Sequence, residues 1–188
     1  MIKKYEISVP KSTIKNIYKK VRSYPWNNIQ KLDGWLHGTN HDYLKKISKY
    51  WTSKFNWKLQ EKKINKFNNF KTDIEGIKIH FIREKGSGKN PTPLLILHGW
   101  PGSIVEFLEV IEKLAHPEKF GGNKEESFDV IAPSLPGYGW SEPPREKGWG
   151  VNRTASALVT LMGRLGYEKY GVQGGDWGSM VSRHMAHL

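Results

Sequence analysis

Cysteine is absent from the 188 residues. That excludes disulfide staples and thiolate catalysis from the chain's chemistry. No run approaches the ~18 uninterrupted apolar residues that a helical membrane span needs. The opening "MIKKYEISVPKSTIKN" carries charge with no apolar block after it, so it does not read as a signal peptide. A soluble, cytoplasmic protein is the expectation. Acidic residues are scarce: 18 Asp and Glu against 30 Lys and Arg leave a net charge of +12. The imbalance is local. Residues 1–90 hold 21 basic and 7 acidic residues, a surplus of +14, while residues 91–188 hold 9 and 11. The lysines come singly and in pairs ("YKKV", "LKKI", "EKKI"), a spacing that points to solvated helix faces rather than a nucleic-acid patch.

The apolar pattern divides the chain in two. Over residues 1–70 it is helical, without a sheet. Ile14, Ile17, Tyr18 and Val21 share one face, Asn40 stands as an N-cap before "HDYLKKISKYW", and "WKLQEKKINKF" reads as a third, shorter helix. Tyr24, Trp26, Trp35, Trp51 and Trp57 are more aromatic surface than short helices bury among themselves, which predicts docking on something larger.

Residues 71–188 change rhythm. "IEGIKIHFIRE" alternates like a hairpin or edge strand, and "TPLLILHG" is a continuous apolar strand ending at a glycine. "SIVEFLEVIEKLA" puts Ile104, Phe107, Leu108, Ile111 and Leu114 on one helical face. "FDVIAPSLPG" is a further strand. "NRTASALVTLMGRLG" follows as a helix with Asn152 as candidate cap and Gly166 as candidate stop, and "KYGVQGG" is the next strand. Strand and helix in alternation predict an α/β fold around a mostly parallel sheet, with its ligand crevice beyond the strands' carboxyl ends. The loops there are "HGWPGS", "PGYGWSEPP" and "GGDWGS".

Gly174-Gly175-Asp176-Trp177-Gly178 fits small-x-nucleophile-x-small, the sharp strand-to-helix bend of a nucleophile elbow, with Gly174 and Gly178 as its tight-turn residues. The same five residues also fit an ordinary aspartate N-cap. Elbow hydrolases take one oxyanion donor from the residue after the nucleophile and another from the loop after an earlier strand. "LLILHGWPGS" offers such a loop. Gly99 permits close backbone approach, Pro101 restricts Trp100, and the donors would be the backbone N–H groups of Trp100 and Trp177. His98 precedes the nucleophile at a strand end, which suits loop fixing better than general-base work.

"HGWPGS", "PSLPGYGWSEPP", "LMGRLGYEKYGVQGGDWGS" and the upstream "FNWKLQEKKINKFNNFKTDIEGIKIHFI" together resemble the microsomal-type epoxide hydrolases of the α/β-hydrolase fold, over almost the whole chain. Without a membrane anchor, the sequence resembles the bacterial-type members. The resemblance implies a helical N-terminal segment over 1–70 and the first part of the hydrolase core over 71–188, truncated after the elbow. It implies Asp176 as a nucleophile that opens an epoxide through a covalent ester, with small epoxides and water as partners. It requires no cofactor or metal, and no nucleic acid or membrane span.

The family's later histidine, relay acid and lid tyrosines are absent from this chain. His184 and His187 lie on the helix leaving the elbow; His184 is roughly 12 Å along it at ~1.5 Å per residue, beyond hydrogen-bond reach. The chain by itself is therefore expected to be inactive. Two other readings fit part of the pattern. A haloalkane dehalogenase also uses an elbow aspartate followed by tryptophan, but usually has asparagine where Trp100 stands. A non-catalytic protein derived from this fold would use the basic first half for binding.

Overall fold

The computed structural model describes residues 1–31 and 34–188. Helical periodicity in the first part gives α1 (Lys11–Arg22), a single 3-10 turn (Trp26–Asn28), α2 (His41–Ser53) and α3 (Trp57–Ile64). Asn40 caps α2, its side chain accepting the Tyr43 amide at 2.9 Å. Tyr18 donates its hydroxyl to the Phe55 carbonyl, and Arg22 donates to that of Thr52. Both bonds tie α1 to the end of α2. Glu61 is buried with every neighbour it needs: the Val9 amide, the Trp57 indole and the Lys58 ammonium all donate to it. The surplus aromatics partly pair with one another, Tyr24 with Trp26 and Trp35 with Tyr43. Tyr24, Trp35 and Trp51 nevertheless remain exposed.

The remaining elements form one six-stranded sheet, in the order β1-β2-β3-β5-β4-β6. The strands are β1 (Lys3–Lys4), β2 (Asn69–Ile74), β3 (Ile77–Glu84), β4 (Thr92–Leu97), β5 (Phe128–Pro133) and β6 (Gly171–Gly174). The α/β class matches the sequence expectation, but the sheet is mixed rather than mostly parallel. β1–β2, β2–β3 and β3–β5 run antiparallel; only β5–β4 and β4–β6 run parallel. The reason is connection length. Two residues, Glu75 and Gly76, join β2 to β3, and a link that short can only reverse the chain. Both have positive φ, 52° and 79°, as a tight hairpin requires. Parallel pairing begins where helices make the crossovers. β3 is accordingly an interior strand and not an edge.

Alternation sorts the buried residues. Ile77, Ile79 and Phe81, Leu95 and Leu97, and Ile131 point to the face that packs against Leu158, Leu161 and Met162 of α5 (Val151–Arg164) and Val181 of α6 (Trp177–Met185). The opposite face buries Ile96, Val130 and Ala132 on the side of α4 (Leu108–Ala115), whose Ile111 and Ala115 are fully buried. The segment before α4, Ile104–Phe107, is a 3-10 turn and not part of one continuous α-helix. Asn152 lies inside α5; the cap position is Gly150, two residues earlier. Gly166 ends the same helix with φ 84°, as a stop should.

Two compact units emerge, one of residues Ile7–Lys63 and one of Met1–Glu6 with Ile64–Leu188. Residues 1–6 and 64–70 therefore join the sheet unit and not the helical segment in which periodicity alone places them. Main-chain pairing explains the shift: Lys3 and Lys4 lie against Lys71 and Phe70, and two residues are too few to show an alternation in sequence. Among the described residues, no helix is long and apolar enough to cross a membrane.

Candidate active site

β4 and β6 are adjacent, parallel and in register, with Leu97 opposite Gly174. Their next residues, His98-Gly99 and Gly175-Asp176, therefore leave the sheet side by side. The bend after β6 is sharp because three backbone segments nearly touch. A Cβ on Gly174 would stand 2.3 Å from the Gly178 carbonyl oxygen, and one on Gly178 would stand 2.3 Å from that of Leu97. A Cβ on Gly99 would meet the Asp176 side chain at 2.4 Å. These distances explain why small residues flank the aspartate at those positions.

Asp176 has φ 51° and ψ −125°, a conformation that L-residues rarely adopt. It occupies the N-cap position of α6, yet its side chain takes no capping bond from that helix. Instead Oδ1 accepts the Trp100 amide at 2.7 Å. This hydrogen bond, and secondarily one from the Trp177 amide, holds the carboxyl below the usual aspartate range. Asp176, Trp100 and Gly102 border an open depression of about 410 Å³ with Glu106 at its margin. Trp100 and Trp177 present exposed indoles, and the Trp100–Pro101 peptide is cis.

His98 is buried beneath this loop. Its Nδ1 faces the Gly99 carbonyl at 3.0 Å and its Nε2 accepts the Leu135 amide at 3.0 Å. The tautomer follows: a carbonyl can only accept, so Nδ1 carries the proton. Burial lowers the ring's pKa, keeping it neutral. With both nitrogens engaged, His98 ties the loop after β4 to the loop after β5 and has no lone pair free for a substrate water.

His80 is engaged in the same way. Nδ1 meets Ser134 Oγ at 2.9 Å and Nε2 meets Asn69 Oδ1 at 3.0 Å, while Ser141 Oγ accepts the His80 amide. Burial first, and Lys71 second, push its pKa down to about 3. Of the two histidines after the elbow, His184 is half-buried on α6 and His187 is exposed beyond its end.

The geometry brings together Asp176, Trp100, Trp177, Gly99, Gly174 and Gly178, with His98 and Pro101 shaping the loop. Sequence reading missed Leu135, Ser134, His80 and Glu106. The first three have no local signal, since their partners lie 11 to 61 residues away. Glu106 did have one: Ser103-x-x-Glu106 is capping-box spacing.

Comparison with known proteins identifies the family and the fold. The family profile described as epoxide hydrolase N terminus matches residues 2–107, and that of the alpha/beta hydrolase fold matches residues 92–188. Epoxide hydrolase 1 of Sus scrofa is 38% identical over 191 residues, covering 100% of this chain and 42% of its own length. The crystal structure of juvenile hormone epoxide hydrolase from the silkworm Bombyx mori superposes with a TM-score of 0.88 at 35% identity, covering 100% of this chain and 45% of that one. The structure of Aspergillus niger epoxide hydrolase gives 0.84 at 31% identity, covering 97% and 48%. The chain thus spans less than half the length of these relatives. An elbow aspartate held by a loop amide, on a sheet matched by both profiles, places the chain in the epoxide hydrolase family of the α/β-hydrolase fold.

Proposed function

We propose that this chain carries the nucleophilic half of an epoxide-opening site, with Asp176 forming a covalent ester. One observation supports the reading: the Asp176 carboxylate is held by the Trp100 amide, and secondarily by that of Trp177, at the edge of an open depression.

Ring opening requires attack on a saturated carbon. A serine there would leave an ether that water does not readily cleave, whereas a carboxylate leaves an ester with an electrophilic carbonyl carbon. With Oδ1 on the Trp100 amide, the other carboxylate oxygen attacks the ring carbon. The carbon–oxygen ring bond breaks, and the released alkoxide takes a proton from water. In the second step water adds to the ester carbonyl, giving its proton to a base. Negative charge develops on Oδ1, to which the Trp100 amide donates, with the Trp177 amide also bonded to the carboxyl group. One such donor typically contributes about 3 kcal/mol to the barrier. The ester bond then breaks, the leaving alkoxide takes the proton back from the base, and the vicinal diol departs with Asp176 restored as a carboxylate. No cofactor enters either step.

Neither His80 nor His98 serves as that base, because both ring nitrogens of each are bonded. The 188-residue chain alone is expected to stop at the ester. Incubation with a small reactive aryl epoxide should add one epoxide mass to the peptide containing Asp176, persistently and with no catalytic release of diol. Asp176→Ala should abolish the adduct. Adducts spread evenly over exposed carboxylates would overturn the nucleophile assignment, and repeated diol release lost on Asp176→Ala would overturn the expected arrest.

A further inference from the structure

The loop that presents the Trp100 amide is pinned upstream by His98. Its downstream end is held by a different device. Glu106 folds back so that Oε1 accepts the Ser103 amide at 3.1 Å, while Ser103 Oγ accepts the Val105 amide at 3.3 Å. The carboxylate lies where a side chain on Gly102 would be: a Cβ there would fall 1.5 Å from Oε1 and 2.7 Å from Cδ, with the Gly99 carbonyl at 3.2 Å. Gly102 needs no left-handed conformation, so the space it leaves, and not backbone freedom, is what a glycine supplies at this position.

We infer that Glu106 and Gly102 form a positioning pair, in which the carboxylate seated over Gly102 clamps the Ser103 amide and so holds the Trp100 N–H against Asp176. The inference rests on reading Asp176 as the nucleophile. Glu106 touches no reacting atom in this arrangement; it fixes the loop of one that does.

Charge and position make opposite demands, which renders the pair testable. Glu106 borders the same depression as Asp176. Removing its negative charge alone would make Asp176 easier to ionise. Releasing the loop would take the Trp100 hydrogen bond from Asp176 and make it harder to ionise. Gln keeps an oxygen acceptor at this site and removes only the charge. Gly102→Ala expels the carboxylate through the flexible end of Glu106, without altering that residue.

The test uses the 188-residue chain with carbon-13 in its aspartate carboxyls, read by NMR during acid titration. Glu106→Ala and Gly102→Ala should each raise the Asp176 protonation constant at least threefold, and shift the Trp100 amide proton upfield. Glu106→Gln should leave that proton in place and the constant equal to wild type or lower. Thermal midpoints show that each variant is folded; if Gly102→Ala unfolds, the Glu106 pair decides alone. An unchanged Trp100 amide in Glu106→Ala, or equal upward shifts for Ala and Gln, would overturn the clamp. Neither readout depends on ester formation, so a missing Asp176 adduct would remove the nucleophile reading while leaving the clamp to be judged separately.

Discussion

At the residue scale the bend around Asp176 is governed by contact distance. The aspartate's positive φ stores strain, which persists only where neighbours over-determine it. Gly178 is one of those neighbours, packed directly beneath the Leu97 carbonyl. Gly178→Ala pushes a methyl against main chain that cannot rotate away, and overpacking of this kind typically costs about 1–3 kcal/mol. Denaturant unfolding should show that loss. Gly175→Ala is the control, because its Cβ would meet nothing within 4 Å. Equal stability of the two variants would mean that the bend relaxes freely. The sequence exposed this region well, since small-x-Asp-x-small is a local pattern. Those five residues alone fit either cap or nucleophile, and it is the loop after β4 together with the family resemblance that implies a nucleophile. The Trp100 amide that holds the carboxylate lies 76 residues earlier.

At the scale of elements, hairpin and crossover impose different rules. Gly76 sits at φ 79° in the two-residue turn between β2 and β3, with open space around its Cα. Gly76→Ala therefore carries a backbone penalty and no steric one, about 1 kcal/mol. A lower urea midpoint with an unchanged slope would register it, whereas an unchanged midpoint would show that the turn relaxes out of the left-handed region. Helices α1 to α3, with the Asn40 cap, were legible because their periodicity is local. β1 was not, since two lysines pair only through their main chain. Asn152 misled because a good capping residue stands one position inside α5, while Gly150 takes the extended conformation that starts the helix.

For the whole molecule, buried histidines link stability to pH. His80 stays neutral in the fold down to about pH 3, whereas an unfolded chain protonates it near 6.5. Its folded pKa is depressed, so its stabilising contribution is complete above pH 6.5 and declines as pH falls from there towards 3. One such group gives a slope of up to about 1.4 kcal/mol per pH unit. His98 shifts in the same direction and adds to it. Urea midpoints should therefore fall between pH 7 and pH 5, above the range where carboxylates protonate. His80→Leu should flatten that decline. It should also lose about 1–3 kcal/mol at pH 7 by leaving Ser134 and Asn69 without their partner. A variant with the wild-type pH profile would remove His80 from this role.

Asn69, His80 and Ser134 join three segments from one side, and Leu135, His98 and Gly99 continue towards the loop that meets Asp176. The sequence by itself determined the strand and helix alternation, the glycine bends and the acid at the elbow. Those features depend on side-chain period and backbone sterics within a few residues. Only the tertiary structure decided that the sheet is mixed and which residues leave the helical segment. Each of those outcomes is a pairing between segments tens of residues apart, and hydrogen-bond partners at that distance are fixed by packing and not by local pattern.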